Sequence, residues 1–421
     1  MRSVSFVKHI ELSFFGNIHQ SALCLGDVDN DGNDELIIGN TDGNLFIYKE
    51  QECVQIINSL GMITAVGVGD ILKCGSNVLI VIAGDGWCHI YLCLSGTSED
   101  NTSESPSFKL KPVYVQRIPA NTKTLLIGDI DDDGCLELVL GLTDRVVRSY
   151  RWMQNFTGGR LVCLNKWECA NQIGNVTLSY DINQQPCLLI SQPGGTFMKI
   201  QCHTNQKSDS AQMTVKYHPS MSTKIRNNGI SSKIIGNLHM YQRDRDMKQN
   251  ESSLPYAIAT LDGTLMLFKD EKMLWSYHVD QQLFVLNKMD VTGDGSVELI
   301  ACSWEGYTYI LDQYKNAIKF QTQEPVADFC AGLYKLKMTP KPVPCLIYAT
   351  FHNKILIFYD VGFPDITAKN LIQLIEQKED ERDERESKSS PSLENIHRLK
   401  KISTKKLLLN WCLYGNHNLR S

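Results

Sequence analysis

The chain has 421 residues, 43% of them hydrophobic, and a formal net charge of −5. That composition suits a folded protein with a large core; it excludes wholesale disorder, and the mild acidity excludes the basic surplus of a nucleic-acid binder. No run reaches the roughly 18 apolar residues needed to cross a bilayer, and the opening MRSVSFVKHIELSFFG sets Lys8, His9 and Glu11 where a secretory leader needs an apolar block. The expectation is an unsecreted protein without a transmembrane segment. The 14 cysteines fall in apolar runs such as ALCLGD and PCLIYA, with no C-x-x-C pair, so they read as buried thiols rather than as disulfides or zinc ligands.

In chain order, the first predicted element is a strand, SFVKHIELSF at 5–14. Next comes SALCLGDVDNDGNDELIIGNTDGNLFIYKE: a short strand, an acidic loop, a second strand, a Thr-Asp-Gly turn and a third strand, with CVQIINSL as a fourth. The order returns at 64–92, 122–150, 175–200, 232–269, 282–311 and 328–360, so the chain holds seven units. The loop carboxylates survive intact only at 122–150 and 282–311. The residue closing each first strand falls at Asp27, Asp70, Asp129, Asp181, Gly236, Asp290 and Gly332, spaced 42 to 59 residues apart. Fourth strands KPVYVQRI, LVCLNKW, TVKYH, MLWSYHV and AIKFQTQ serve units two to six.

Repeats of about 50 residues built from four strands, with no helical pattern between them, are the signature of propeller blades. The seventh unit has no fourth strand of its own, and the strand at 5–14 has no blade. The prediction is therefore an all-β, seven-bladed β-propeller over residues 1–361, closed by the N-terminal strand pairing with the last blade. Deleting residues 1–14 should destabilise the whole ring.

Three polar stretches, 95–107, roughly 203–229 and 239–254, read as surface insertions. Residues 362–421 form a separate tail. DITAKNLIQLIEQ places Leu371, Leu374 and Ile375 on one helical face, with Thr367 as N-cap. A charged, weakly structured linker spans 376–392. The basic, then apolar end, HRLKKISTKKLLLNWCLYGN, has the character of a docking segment for a partner or an acidic membrane, or of a poorly ordered terminus.

The intact acidic loops are DVDNDGNDE (27–35), DIDDDGCLE (129–137) and DVTGDGSVE (290–298). Carboxylates at alternate positions ahead of a glycine can turn several oxygens inward, which is what a hard cation such as Ca²⁺ requires. An EF-hand is excluded, because position twelve is Ile38, Leu140 or Ala301 instead of a bidentate Glu and the flanks are strands. The competing reading is that Asp, Asn and Gly simply form good turns whose side chains bond their own backbone. Against it, three nearby negative charges repel unless a cation or donors offset them.

The pattern D-x-D-x-D-G-x-x-D/E between short strands resembles the FG-GAP repeats of integrin α-chain propellers. The resemblance implies side-chain ligands to calcium at positions one, three, five and nine and a main-chain carbonyl at position seven. Carried onto this sequence, the ligands are Asp27, Asp29, Asp31 and Glu35 with the Asn33 carbonyl; Asp129, Asp131, Asp133 and Glu137 with the Cys135 carbonyl; and Asp290, Asp294 and Glu298 with the Ser296 carbonyl. Two departures stand out: position nine is Glu throughout, and Thr292 replaces a carboxylate.

The phrases LGDVDNDGNDELIIG, IPANTKTLLIGDIDDDG, TDRVVRSYRW and LFVLNKMDVTGDG, in that order, further resemble a family of integrin-alpha FG-GAP repeat-containing proteins that serve in KICSTOR. That resemblance implies a cytoplasmic scaffold that holds the GATOR complex on lysosomes and so restrains TORC signalling when nutrients are short. It also implies KICSTOR subunits as partners and indirect membrane association. Alternatives are a calcium-binding adhesion-type propeller or a propeller enzyme with a dispersed active site. No G-x-S-x-G, P-loop, H-E-x-x-H or complete G-x-G-x-x-G occurs, so no catalytic residue is assigned. His89 reads as packed on a strand. Trp87, Trp152 and Trp304 are candidates for partner surfaces, with burial against a neighbouring blade the commoner role for such residues.

Overall fold

The computed structural model describes residues 1–6, 8–93, 108–155, 158–181, 183–202, 213–216, 230–239, 254–269, 272–363 and 366–367. Met1–Ile366 forms one compact unit. The predicted tail helix at Leu371, Leu374 and Ile375, the linker and the basic end lie outside the described residues, as do nearly all of the three insertions.

The N-terminus contributes β1 (Arg2–Ser3) and β2 (His9–Ser13). Blade one is β3 (Ile18–Gly26), β4 (Glu35–Asn40), β5 (Leu45–Lys49) and β6 (Glu52–Ile57), and blade two is β7 (Ile63–Gly69), β8 (Val78–Ala83), β9 (Trp87–Cys93) and β10 (Leu110–Arg117). Blade three is β11 (Thr122–Gly128), β12 (Glu137–Leu142), β13 (Val146–Asn155) and β14 (Gly158–Glu168), and blade four β15 (Val176–Tyr180), β16 (Pro186–Gln192), β17 (Thr196–Gln201) and β18 (Met213–Lys216). Blade five is β19 (Ser232–Ile235), β20 (Tyr256–Thr260), β21 (Thr264–Lys269) and β22 (Lys272–His278). Blade six is β23 (Leu283–Met289), β24 (Glu298–Ser303), β25 (Tyr307–Leu311) and β26 (Ala317–Gln321). Blade seven has β27 (Val326–Tyr334), β28 (Val343–Thr350) and β29 (Lys354–Tyr359), and takes β2 as its outer strand. The first strand of each blade packs on the first strand of the next, around to β27 on β3, so the ring is closed.

The core lies in the seams between blades. Seven apolar clusters each join two neighbours, and the second strand of most blades is buried along its whole length, as in ELIIGN, VLIVIA and ELVLGL. Such a strand is covered on both faces, which is why its sequence is a continuous apolar run instead of an alternating one. Outer strands such as β10 leave Val113 and Val115 exposed.

The turn between second and third strands recurs for a mechanical reason. Its carbonyl accepts a hydrogen bond from the chain leaving the fourth strand: Ile118 N to Gly86 O at 2.8 Å, Val279 N to Gly263 O at 2.9 Å, Thr322 N to Gly306 O at 3.0 Å. Gly263 has φ +90°, and a Cβ there would sit 2.0 Å from the Val279 carbonyl, so only glycine allows the lock to close.

Ring closure follows the predicted route and then exceeds it. β2 runs antiparallel to β29, from His9 beside Phe358 to Ser13 beside Lys354. β1 lies parallel to β26, with Arg2 beside Ile318 and Ser3 beside Lys319, an addition to blade six that a two-residue strand cannot announce in sequence. Between them Phe6 packs on Phe320 and Phe363, with centroids 4.7 and 5.7 Å away. The N-terminus thus fastens two blades. Across the final seam the Tyr334 hydroxyl donates to the Tyr48 carbonyl at 3.2 Å.

Candidate functional site: the acidic loops

Each acidic loop leaves the end of an inner strand, so all three open on one face of the ring. Their scaffolding is the same. Position one is a carboxylate that caps the turn: Asp27 accepts from Asp31 N (3.1 Å) and Gly32 N (2.9 Å), Asp129 from Asp132 N (2.7 Å) and Gly134 N (2.8 Å), Asp290 from Gly293 N (2.6 Å) and Gly295 N (2.9 Å). Position five accepts from the position-seven N–H at 2.8 Å in every case: Asp31 from Asn33, Asp133 from Cys135, Asp294 from Ser296. Position nine is a buried glutamate whose Oε2 accepts from the N–H of position two: Glu35 from Val28 (2.9 Å), Glu137 from Ile130 (3.0 Å), Glu298 from Val291 (2.8 Å). Turn formation is therefore a real part of what these residues do.

The carboxylates also converge. Asp27, Asp29 and Glu35; Asp129, Asp131 and Glu137; and Asp290, Asp294 and Glu298 each bring ligand atoms within 4.8 Å of one another, groupings that could hold a metal ion. In the first two loops a side-chain cation sits among them. Lys49 Nζ binds Asp29, Asp31 (2.7 Å) and Glu35 (3.3 Å). Arg151 donates through Nε to Glu137 (2.7 Å), through Nη2 to both oxygens of Asp131 (3.0 Å each), and places Nη1 2.8 Å from Asp133.

Sequence reasoning misses these cations, because each is one basic residue at a strand end. Register supplies the missing relation. Leu36 pairs with Tyr48 and Leu138 with Tyr150, so one step further Glu35 faces Lys49 and Glu137 faces Arg151. In blade six Leu299 pairs with Leu311, and the residue facing Glu298 is Asp312. Its carboxylate is turned to its own hairpin turn, between β25 and β26, accepting from Tyr314 N (2.9 Å) and Asn316 N (2.7 Å). The hydroxyl of Thr292, 3.3 Å from Glu298 and 3.4 Å from Asp290, stands where the other loops have a carboxylate.

Electrostatics reflect this arrangement. Burial pushes Glu35 up to about 7 in spite of the Val28 N–H and Lys49, and Glu298 up to about 7, where Asp290 and Asp294 add to the effect. Burial disfavours the charge on Lys49, but its bonds to Asp29 and Asp31 more than offset that and hold its pKa above the ordinary lysine value. Arg151 behaves likewise with Glu137, Asp131 and Asp133. Blade four keeps a reduced version: Gln201, at the position equivalent to Lys49, donates to Asp181 at 2.9 Å.

The other residues singled out have ordinary surroundings. Trp152 is half-buried edge-on to Tyr114 of the preceding blade (4.9 Å), and Trp304 stacks on Phe284 (5.5 Å), whereas Trp87 is exposed beneath the Arg117 guanidinium. His89 stacks on Tyr91, and burial lowers its pKa. All described cysteines are free thiols. No helix among the described residues is long and apolar enough to cross a membrane.

Three kinds of similarity bear on this arrangement. BBS1N, solved in complex with ARL6DN and soaked with mercury, superposes with a TM-score of 0.60 over 87% of this chain and 100% of that one, at 14% identity. The same complex soaked with lead gives 0.54 at 15% identity, covering 85% and 97%. At such identities the likeness concerns the fold alone. The KICSTOR complex protein ITFG2 of Mus musculus is 38% identical over 401 residues, 89% of each chain, and that of Bos taurus 37% identical over 400 residues, 89% of this chain and 74% of that one. Residues 48–363 match the family described as integrin-alpha FG-GAP repeat-containing protein 2, and the chain belongs to that family.

Proposed function

We propose that this protein is a non-enzymatic scaffold subunit of a KICSTOR-like complex. It works in the cytoplasm and at the lysosomal surface, where it helps place the GATOR complex and so restrains TORC signalling when nutrients are limiting. The observation that carries the reading is similarity along 89% of both chains to a mouse protein named for that complex. A rigid ring with seven seams, two faces and independently variable turns suits the role, because partner surfaces can diverge on it without disturbing the core. Association with the membrane is indirect, through the other subunits. The test is affinity purification of the tagged full chain from cells, with mass spectrometry of the co-purifying proteins. KICSTOR subunits in stoichiometric amounts support the reading; a clean monomer sinks it.

A second role concerns calcium, and the observation favouring it is the contrast among the loops. Asp29, Asp31 and Glu35 give oxygens to Lys49, and Asp131, Asp133 and Glu137 give theirs to Arg151, while Asp27 and Asp129 cap their turns, so a divalent ion there would have to displace a bonded side chain. Asp290, Asp294 and Glu298 gather hard oxygen donors opposite another carboxylate. In our reading this third loop, with the Ser296 carbonyl, is the one that holds Ca²⁺, and a bound ion there would stiffen blade six without taking part in chemistry.

A further inference from the structure

The face opposite the acidic loops has a different chemistry. Inner strands enter the ring on that side, and a cavity of about 540 Å³ opens between the start of β3, the start of β11 and the turns that carry Thr143, Trp304 and Phe351. Its size is that of a small-molecule site and far exceeds a single ion. One lysine lines it and a second touches its lining residue Gln20. Lys123 of blade three lines the cavity, and among the described residues its ammonium has no hydrogen-bond or ion-pair partner; burial lowers its pKa. Lys233 of blade five reaches across to Gln20 Oε1 of blade one (3.4 Å) and to the Gly174 carbonyl (3.3 Å). Burial and the charge of Lys123 both lower the Lys233 pKa, and only the buried Asp328 opposes them.

Two ammonium groups drawn from water and repelling one another are costly to keep. Burying unpaired charge in a fold is tolerated where an external group of opposite sign completes the set. The buried Asp328 carboxylate, which accepts from Phe329 N (2.9 Å), attracts Lys233 but makes no hydrogen bond or close ion pair with Lys233 or Lys123 among the described residues, and burial pushes its own pKa up to about 7. The walls above the cations are apolar: Ile173, Ala327, Trp304 and the exposed Phe351 ring.

We propose that this channel mouth binds a small organic anion, its carboxylate or phosphate on Lys123 above the Lys233–Gln20 bridge and its apolar body against Ile173, Trp304 and Phe351. Trp304, a candidate for contact with a protein partner, thereby acquires a different ligand. The site is independent of the calcium loops and of any scaffold partner, so it stands or falls separately from the reading above.

The experiment uses the full chain and four probes: inorganic phosphate, phenyl phosphate, benzoate and, at matched ionic strength, sodium chloride. Thermal midpoints and calorimetric titrations are measured for the native protein, Lys123→Met and Trp304→Ala. A midpoint raised by phenyl phosphate or benzoate beyond the chloride control is expected, with affinity falling about tenfold or more in Lys123→Met. In Trp304→Ala the advantage of phenyl phosphate over inorganic phosphate should disappear. A preference for phenyl phosphate over benzoate, or the reverse, separates a phosphate from a carboxylate ligand. Without ligand, Lys123→Met should melt at or above the native temperature, which also shows that it folds. An equal anion response in native protein and Lys123→Met, or no response beyond chloride in the native protein, overturns the proposal.

Discussion

The loops of blades one and three and the loop of blade six have nearly the same sequence pattern and the same internal turn, yet they solve the problem of crowded carboxylates differently. In the first pair a residue from the third strand brings its own cation: Lys49 to Asp29, Asp31 and Glu35, Arg151 to Asp131, Asp133 and Glu137. In blade six the corresponding residue is Asp312, and a hydroxyl, Thr292, replaces one carboxylate. A loop motif thus specifies a turn and a set of oxygens. What fills the set is decided across the strand.

The largest expected effect comes from emptying the third-blade seat. Arg151→Met leaves Glu137, which is fully buried, without its counter-charge, and removing one partner of a buried ion pair costs about 3 kcal/mol. The urea midpoint should fall accordingly. An unchanged midpoint would show that the turn donors alone carry these carboxylates, and the comparison would collapse.

Lys49→Met should cost less, about 2 kcal/mol, because an ammonium is a more exposed point charge here than the guanidinium, 29% against 19% by side chain. Adding calcium to this variant is the more informative measurement. With Lys49 gone, blade one has the oxygens and no resident cation, so millimolar calcium should restore part of the lost stability through that loop. If calcium stabilises the variant no more than it does the native protein, the seat is not exchangeable.

How much of this can be read in advance depends on the range of the interaction. Blades, acidic loops and the pairing of the N-terminal strand with the last blade are local or periodic features, and residues such as Asp27, Asp129 and Asp290 announce themselves by spacing. Lys49 and Arg151 do not, since a single base at a strand end looks like any solvated residue until register sets it opposite a buried glutamate. The signal is present only as a coincidence between repeats: a base seven residues past the acidic residue of the turn in units one and three, an acid at the same place in unit six. β1 is beyond reach for the opposite reason, because two residues are too few to show a period. The channel lysines come from different blades, Lys123 and Lys233, and only the closed ring makes them neighbours.

In the native protein calcium should act through blade six alone. A chelator should lower the thermal midpoint by an amount equivalent to about 1–2 kcal/mol if free calcium stands near ten times the dissociation constant, and Asp290→Asn should remove the response. A response that survives Asp290→Asn but disappears in Asp27→Asn would place the ion in blade one and reverse the assignment.

The smallest effect on stability, and the sharpest on the comparison, belongs to Asp312→Lys. The substitution gives blade six the residue type that blade one has at the position facing the loop glutamate. It removes hydrogen bonds from Tyr314 N, Asn316 N and the Asn316 amide, worth about 0.5–1.5 kcal/mol each, and supplies a cation opposite Glu298, so the two changes roughly offset each other. The midpoint without calcium should move by less than about 1 kcal/mol, while the calcium response vanishes because the ammonium now holds the oxygens the ion would need. Calcium titration of the variant decides between the two accounts of these loops. A retained response means that metal binding is fixed within the loop, and lost binding at near-constant stability means that one residue across the strand determines whether an acidic loop of this fold takes a metal ion or a side chain.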